Sequence, residues 1–306
     1  MRHHLRQGLP VGVEVVGLCD PDAGQLAATT GFCPSSTFAS LEELLDEVKP
    51  DAVFIASPHA DHCAQTLAAF QAGCHVLLEK PISISVAEAD RMIAARDASG
   101  LVAGLAYQRH GQPIFRWLKA QIEAGAWGEL LAITCHLGQP WKRFTEGSWR
   151  QRPEIAGGGM LHDSGSHMVD IALWTTGRKP TEVTARIDNR GTPVDIHGFV
   201  SARLDNGATL QVSVVGDAAV WHERHAYWFE EAAVFIEDDV VRVVSADGVH
   251  STIENWPAAE SPLANFAKAV AGAEPVYAPF ECGRHVQAFT EGAYQSAETG
   301  QPFSLA

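Results

Sequence analysis

The sequence is short of positive charge, of long apolar runs and of paired cysteines, and each shortage removes a class of function. Its 22 Lys and Arg stand against 37 acidic residues, a formal net charge of −15. A chain so negative repels both a nucleic-acid backbone and an anionic membrane surface, so neither is expected as a partner. Nowhere do eighteen apolar residues follow one another, and MRHHLRQGLP has no apolar core of the signal-peptide kind. Neither a spanning helix nor export is expected, and the protein reads as cytoplasmic. Six cysteines, at 19, 33, 63, 74, 135 and 282, include no C-x-x-C pair and fall mostly in apolar runs. That suits reduced packing cysteines better than a zinc site. There is no internal repeat and no low-complexity linker. What remains is an ordinary globular composition, 46% hydrophobic over 306 residues, long enough for two cores and a small-molecule partner.

The first hundred residues alternate between strand and helix signals. VEVVGLCD (13–20), DAVFIASP (51–58), HVLLEKP (75–81) and LVAGLAY (101–107) are short apolar or β-branched runs, separated by helical patterns at about 22–31, 60–72 and 85–98. Ser40 with Glu43, and Ser85 with Glu88, have the spacing of capping boxes. Alternation of this kind predicts an α/β unit over residues 1–107, a Rossmann-type doubly wound parallel sheet whose apolar strands are covered on both faces. After Tyr107 the texture changes. A helix near 113–124, a strand at 129–138 and a long polar, aromatic-bearing loop lead to a helix carrying Asp163. Alternating strands follow, with Asn206-Gly207 as a hairpin turn, and two helices at about 261–272 and 281–299 close the chain. Residues 108–306 are therefore expected to form an α+β domain with a large open antiparallel sheet, its last helix packing back on the first domain.

Doubly wound sheets bind ligands at the carboxyl ends of their strands. Three features stand there: Asp20, where a carboxylate accepts ribose hydroxyls; the Ser57-Pro58 turn; and Glu79-Lys80-Pro81, which puts a lysine at a strand mouth. Downstream, AGGGMLHDSGSHMVD (156–170) sets three glycines ahead of Asp163, His167 and Asp170, spaced to share one helical face with room for something to approach. Taken alone, that stretch fits a glycine loop before a core helix at least as well. A metal held by His162, Asp163 and His167 is not expected, because adjacent residues on a helix diverge and no further ligands cluster.

The run DAVFIASPHADHCAQTLAAFQAGCHVLLEKPISISVAEADRMI resembles the signature of the glucose-fructose oxidoreductase and inositol dehydrogenase family, Gfo/Idh/MocA. AGGGMLHDSGSHMVDIALWTTG resembles its second signature, and AYQSAETGQPFSL its closing helix and strand. The resemblance covers essentially the whole chain. It implies a nicotinamide-nucleotide domain followed by a sheet domain that contacts substrate and forms an oligomer face, giving a homo-oligomer through the C-terminal sheet. It implies Lys80, Asp163 and His167 as the catalytic set, with His167 the proton acceptor, Lys80 a donor to the substrate hydroxyl and Asp163 holding a neighbouring hydroxyl. Asp20, Ser57, Pro58, His62, Glu79, Lys80 and Gln108 become cofactor contacts, and Arg109, His110, Trp149 and Arg150 substrate contacts. His59, His225 and Tyr227 are further candidates for the pocket. NAD is expected over NADP, since no arginine follows Asp20 to receive a 2′-phosphate.

The sequence departs from the family in three places. Ser57-Pro58-His59 stands for the common Thr-Pro-Asn, and Gln108-Arg109-His110-Gly111 for an Asn-Arg-Arg-Phe-like run. The G-x-G-x-x-G fingerprint expected about 20 residues before Asp20 is not found, and MRHHLRQGL reads as the tail of a first helix whose strand and phosphate loop are missing. Two functions follow. One is an oxidoreductase acting on a secondary hydroxyl of a sugar, inositol or related polyol. The other is a non-catalytic relative that has lost nucleotide binding and acts as a sugar-binding or interaction subunit.

Overall fold

A computed structural model describes residues 5, 6 and 8–305 of the chain. The MRHH segment and Gln7 lie outside the described residues, and with them most of the expected first-helix tail. Five short parallel strands appear in the first third, namely β1 (Gly17–Cys19), β2 (Ser36–Phe38), β3 (Ala52–Ile55), β4 (His75–Leu78) and β5 (Ala103–Leu105). They fall into two sheets, β1-β2 and β3-β4-β5, with no ladder joining them among the described residues. Only β2, the three residues Ser-Thr-Phe, was too short to be expected from its pattern.

Both capping boxes form, with one variation. The Ser40 and Ser85 hydroxyls each accept from the backbone N–H of the glutamate three residues on, at 3.2 Å. The glutamates turn back not to the cap's own N–H but to that of the residue before it, Ala39 and Ile84, at 3.3 Å. These caps start the helices Leu41–Val48 and Val86–Ser99.

The rest of the chain builds a nine-stranded sheet from β6 (Leu130–Gly138), β7 (Pro180–Asp188), β8 (His197–Leu204), β9 (Thr209–Val215), β10 (His222–Phe229), β11 (Ala232–Glu237), β12 (Val240–Ser245), β13 (His250–Ile253) and β14 (Phe303–Ser304). Its order is β13-β12-β11-β10-β6-β9-β8-β7-β14. The sheet is mixed rather than wholly antiparallel, because β6 lies parallel to β9. The helices between β6 and β7 carry the chain across the sheet, so the two strands enter from the same end. The expected Asn206-Gly207 hairpin joins β8 to β9, with Gly207 at φ 87°, a conformation that favours glycine.

The helix Gly165–Thr176 packs on one face of this sheet, against β6 and β9. The other face leaves Phe199 and Trp228 exposed. The last long helix, Phe280–Thr299, packs on Val86–Ser99 as well as on β7. It is tied there by Arg96 to Glu281 at 2.6 Å and Arg284 to Asp90 at 2.5 Å. All six cysteines are free, and no described helix is long and apolar enough to cross a membrane.

Candidate active site

Lys80 sits at the mouth of β4, where Glu79 still continues the ladder by donating its N–H to Ile55 at 2.9 Å. The Lys80–Pro81 peptide is cis. Behind this turn His62 is fully buried, with Nδ1 2.9 Å from the Pro81 carbonyl and Nε2 3.1 Å from that of Ser57. Both ring nitrogens are thus engaged by backbone. His62 thus lies beneath two strand-end turns, against the carbonyls of both.

From the turn the Lys80 ammonium reaches Asp163, donating to Oδ1 at 2.8 Å and to the backbone carbonyl at 3.1 Å. The other carboxylate oxygen, Oδ2, accepts from the Trp141 indole at 3.0 Å and from Arg150 Nε at 3.1 Å. Burial by itself would raise the Asp163 carboxyl, but Lys80, His59 and Arg150 outweigh it and hold the group well below the usual carboxylate range. Asp163 is therefore a permanent anion shared by two cations.

Asp163 and His167 do not lie on one continuous helix. Asp163 ends the short helix Met160–Asp163, Ser164 intervenes, and His167 belongs to Gly165–Thr176. His167 is part-buried, and its Nδ1 is enclosed with no hydrogen-bond partner. Burial first, then the charges of Lys80 and Arg109, push its pKa well below the ordinary value, with Asp163 opposing. The ring is neutral at physiological pH, and Nε2 is the nitrogen left to meet a hydroxyl.

The glycines serve the fold more than a ligand. A side chain at Gly157 would run into Ile84, one at Gly158 into the Tyr294 hydroxyl, and one at Gly159 into the Asp195 carbonyl. Asp195 is the organiser. Its buried carboxylate accepts from the backbone N–H of Gly159 at 2.6 Å and of Leu161 at 2.7 Å, and from the Tyr294 hydroxyl at 2.6 Å.

Of the remaining candidates, Arg109 and His110 turn away from solvent. Arg109 is buried in a two-pronged pair with Glu223, at 3.2 and 2.5 Å. Glu223 also meets His225 Nε2 at 3.0 Å, and although burial raises it, His225 and Arg109 bring it down to about 2. His110 and Asp170 form a second buried pair at 2.8 Å, so Asp170 leaves the stripe expected with Asp163 and His167. Tyr227 is fully buried against Thr175. Of the expected pocket residues, Arg109, His110, His225 and Tyr227 are thus buried and engaged with other side chains. His110, Asp170 and Cys282 are the one group among the described residues with ligand atoms within 4.8 Å of one another, and in it His110 Nε2 and Asp170 Oδ2 already meet each other at 2.8 Å. Trp149 and Arg150, by contrast, do reach the site: the Arg150 guanidinium lies 4.4 Å over the Trp149 ring, and Trp149 meets His59 edge-on at 4.7 Å.

A nicotinamide nucleotide fits this frame at its two ends. Asp20 follows β1 with Oδ1 taken by the Asp22 N–H at 2.9 Å, leaving Oδ2 for a ribose. Ser57 and Pro58 after β3, Glu79 and Lys80 after β4, and the exposed Gln108 after β5 line the strand mouths. No glycine-rich turn between a strand and a helix, the usual cradle of a pyrophosphate, is found before β1 among the described residues. Sequence reasoning missed Trp141, Asp195 and Glu223. Trp141 alone had a signal, as an aromatic in the polar loop ahead of the glycines.

Residues 1–107 match a family model described as an oxidoreductase family with an NAD-binding Rossmann fold, and residues 115–234 match the GFO/IDH/MocA C-terminal domain. Among curated proteins the chain is 34% identical over 173 residues to D-glucoside 3-dehydrogenase of Escherichia coli (strain K12), covering 54% of this chain and 47% of that protein. It is 32% identical over 176 residues to 1,5-anhydro-D-fructose reductase of Ensifer adhaerens, covering 57% and 52%. The matched segments thus span about half the length of these relatives. Among solved structures, an oxidoreductase domain protein from Kribbella flavida superposes with a TM-score of 0.87 at 21% identity, over 96% of this chain and 91% of that one. That likeness bears on the fold. With both of its parts matched by models of one family, the chain belongs to the GFO/IDH/MocA oxidoreductases.

Proposed function

We propose that the protein is an NAD-dependent dehydrogenase that takes a hydride from a secondary hydroxyl of a sugar, inositol or related polyol. The observation that carries the reading is the 2.8 Å pair of Lys80 with Asp163 at the mouth of β4, joined by His167 from the next helix. Bound NAD would accept the hydride. Lys80, fixed by Asp163, donates a hydrogen bond to the substrate oxygen and favours the charge that develops as its proton leaves. His167 is neutral and so able to take that proton through Nε2. In the neutral tautomer that accepts at Nε2 the ring's own proton sits on Nδ1, which has no acceptor, so no partner stabilises the imidazolium and it readily returns the proton taken at Nε2. A chain retained only for sugar binding has no use for this arrangement, and no observation favours that reading.

Asp20, followed by Pro21 and Asp22, supports NAD over NADP. In this reading residues 1–107 hold the nucleotide in the cytoplasm and 108–306 supply the substrate contacts. The exposed Phe199 and Trp228 on the outer face of the large sheet support assembly of copies through that face. The test is NAD reduction followed by absorbance, with millimolar NAD and a panel of aldoses, uronates and inositols, for the wild type and Lys80→Met. Turnover by the wild type with at least one member, lost in K80M, is expected. Equal turnover in K80M overturns the reading.

A further inference from the structure

The positive charge at Asp163 is not balanced. Lys80 occupies one carboxylate oxygen and Arg150 the other, two cations on a single anion. Arg109 is held by Glu223 and the His110 ring by Asp170, so neither is drawn to Asp163. At the Asp163 carboxylate itself, two cations share one anion in a protein of net charge −15.

Arg150 is the cation with spare capacity. Its Nε is fixed on Asp163 at 3.1 Å and its plane rests on the Trp149 ring, while the side chain stays 41% exposed. Neither terminal amino group makes a hydrogen bond to a described residue. Two such groups in one plane, with the plane already held, are the fork that receives a carboxylate through both oxygens. Lys80 and Arg150 are separated by no more than two hydrogen bonds and one carboxylate, a span that a hexose with an exocyclic carbon covers.

From this geometry we infer that the substrate is a sugar acid, a uronate or aldonate whose carboxylate docks on Arg150 while a ring or chain hydroxyl meets Lys80. The inference rests on the dehydrogenase reading and names its substrate class. In the reaction the hydroxyl carbon loses a hydride to NAD+, the hydroxyl proton goes to His167, and the carboxylate is unchanged, so the product is an oxo acid and NADH.

The full chain is titrated calorimetrically with D-glucuronate and with D-glucose, alongside Arg150→Met and Arg150→Lys. A charge-assisted pair predicts binding about tenfold to a hundredfold tighter for the uronate. That preference is expected to vanish in R150M and to persist in part in R150K, which keeps the charge but not the fork. Equal binding of the two sugars, or tighter binding of glucose, overturns the inference. So does a uronate preference that R150M leaves intact. Uronate binding through Arg150 with no NAD reduction by any sugar refutes the dehydrogenase reading while leaving the sugar-acid site in place.

Discussion

Replacing Asp195 tests how the active-site segment is held. Its carboxylate is fully enclosed and is the partner of three donors: Gly159 N–H, Leu161 N–H and the Tyr294 hydroxyl. In Asp195→Ala all three lose their acceptor inside the protein. An unsatisfied buried donor costs about 1–3 kcal/mol, and removing a carboxylate that burial disfavours returns part of that, so a net loss of about 3–5 kcal/mol is expected. At roughly 2–4 °C per kcal/mol for a chain of this size, the thermal midpoint falls by about 6–20 °C. Asp195→Asn keeps one acceptor but turns an amide NH2 toward a donor, and an intermediate loss follows. Tyr294→Phe removes one bond and costs about 1 kcal/mol. The order D195A, then D195N, then Y294F is the prediction, read by scanning calorimetry. Because Gly159 begins the turn that carries Asp163, turnover should fall in the same order. The pH dependence has a definite sign. Burial raises the Asp195 carboxyl, so its contribution is greatest at low pH and is lost as pH rises through the folded value, a dependence D195N abolishes. A D195A protein that melts within a degree or two of Y294F would refute this account of the site.

The other predictions concern the chemistry. Lys80→Met should reduce kcat by about two to four orders of magnitude, and His167→Ala by less, because no partner on Nδ1 stabilises the imidazolium; steady-state assays of both variants rank them, and a larger loss in H167A reverses the assignment. The kcat/KM profile should hold its level as pH falls to 6.5 and decline only below it, since His167 must be neutral to accept a proton and its folded pKa is depressed below that value. A decline beginning above 6.5 contradicts the neutral-base role. NAD should be preferred to NADP, and Asp20→Ser should narrow the gap, measured as the ratio of kcat/KM values for the two nucleotides.

What the sequence discloses here is what repeats locally. The alternation of apolar runs with capped helices announces the parallel strands, because caps and periodicity are properties of neighbours in the chain. Lys80 is legible for a similar reason, standing just past an apolar strand and ahead of a proline. The parallel pairing of β6 with β9 is not legible, since it is decided by how the intervening helices cross the sheet. Arg109 and His110 show the same limit. Their residue types suit a pocket, yet Glu223 is 114 positions from Arg109 and Asp170 is 60 from His110. No pattern near either residue reveals that each already has a carboxylate partner. The glycines mislead for a related cause: their neighbours Ile84, Asp195 and Tyr294 come from three distant segments, so a packing constraint resembles an opening for a ligand.

The same long-range closure revises the part expected of Asp163. A carboxylate offers about four acceptor positions, two on each oxygen. Trp141 and Arg150 take both on Oδ2, and Lys80 takes one on Oδ1, leaving a single position for a substrate hydroxyl. Reaching it means approaching the carboxylate beside Lys80, so any hydroxyl bound there is also presented to the ammonium. Asp163 thereby selects one hydroxyl geometry through the lysine it fixes, and the loop bearing Trp141 and Arg150 enters the site because it completes the coordination of that one anion. In the dehydrogenase proposed above, the aromatic-bearing loop between β6 and the glycines, the least patterned stretch of the sequence, is the segment through which substrate choice is exercised, while Lys80 and His167 set what is done to the hydroxyl.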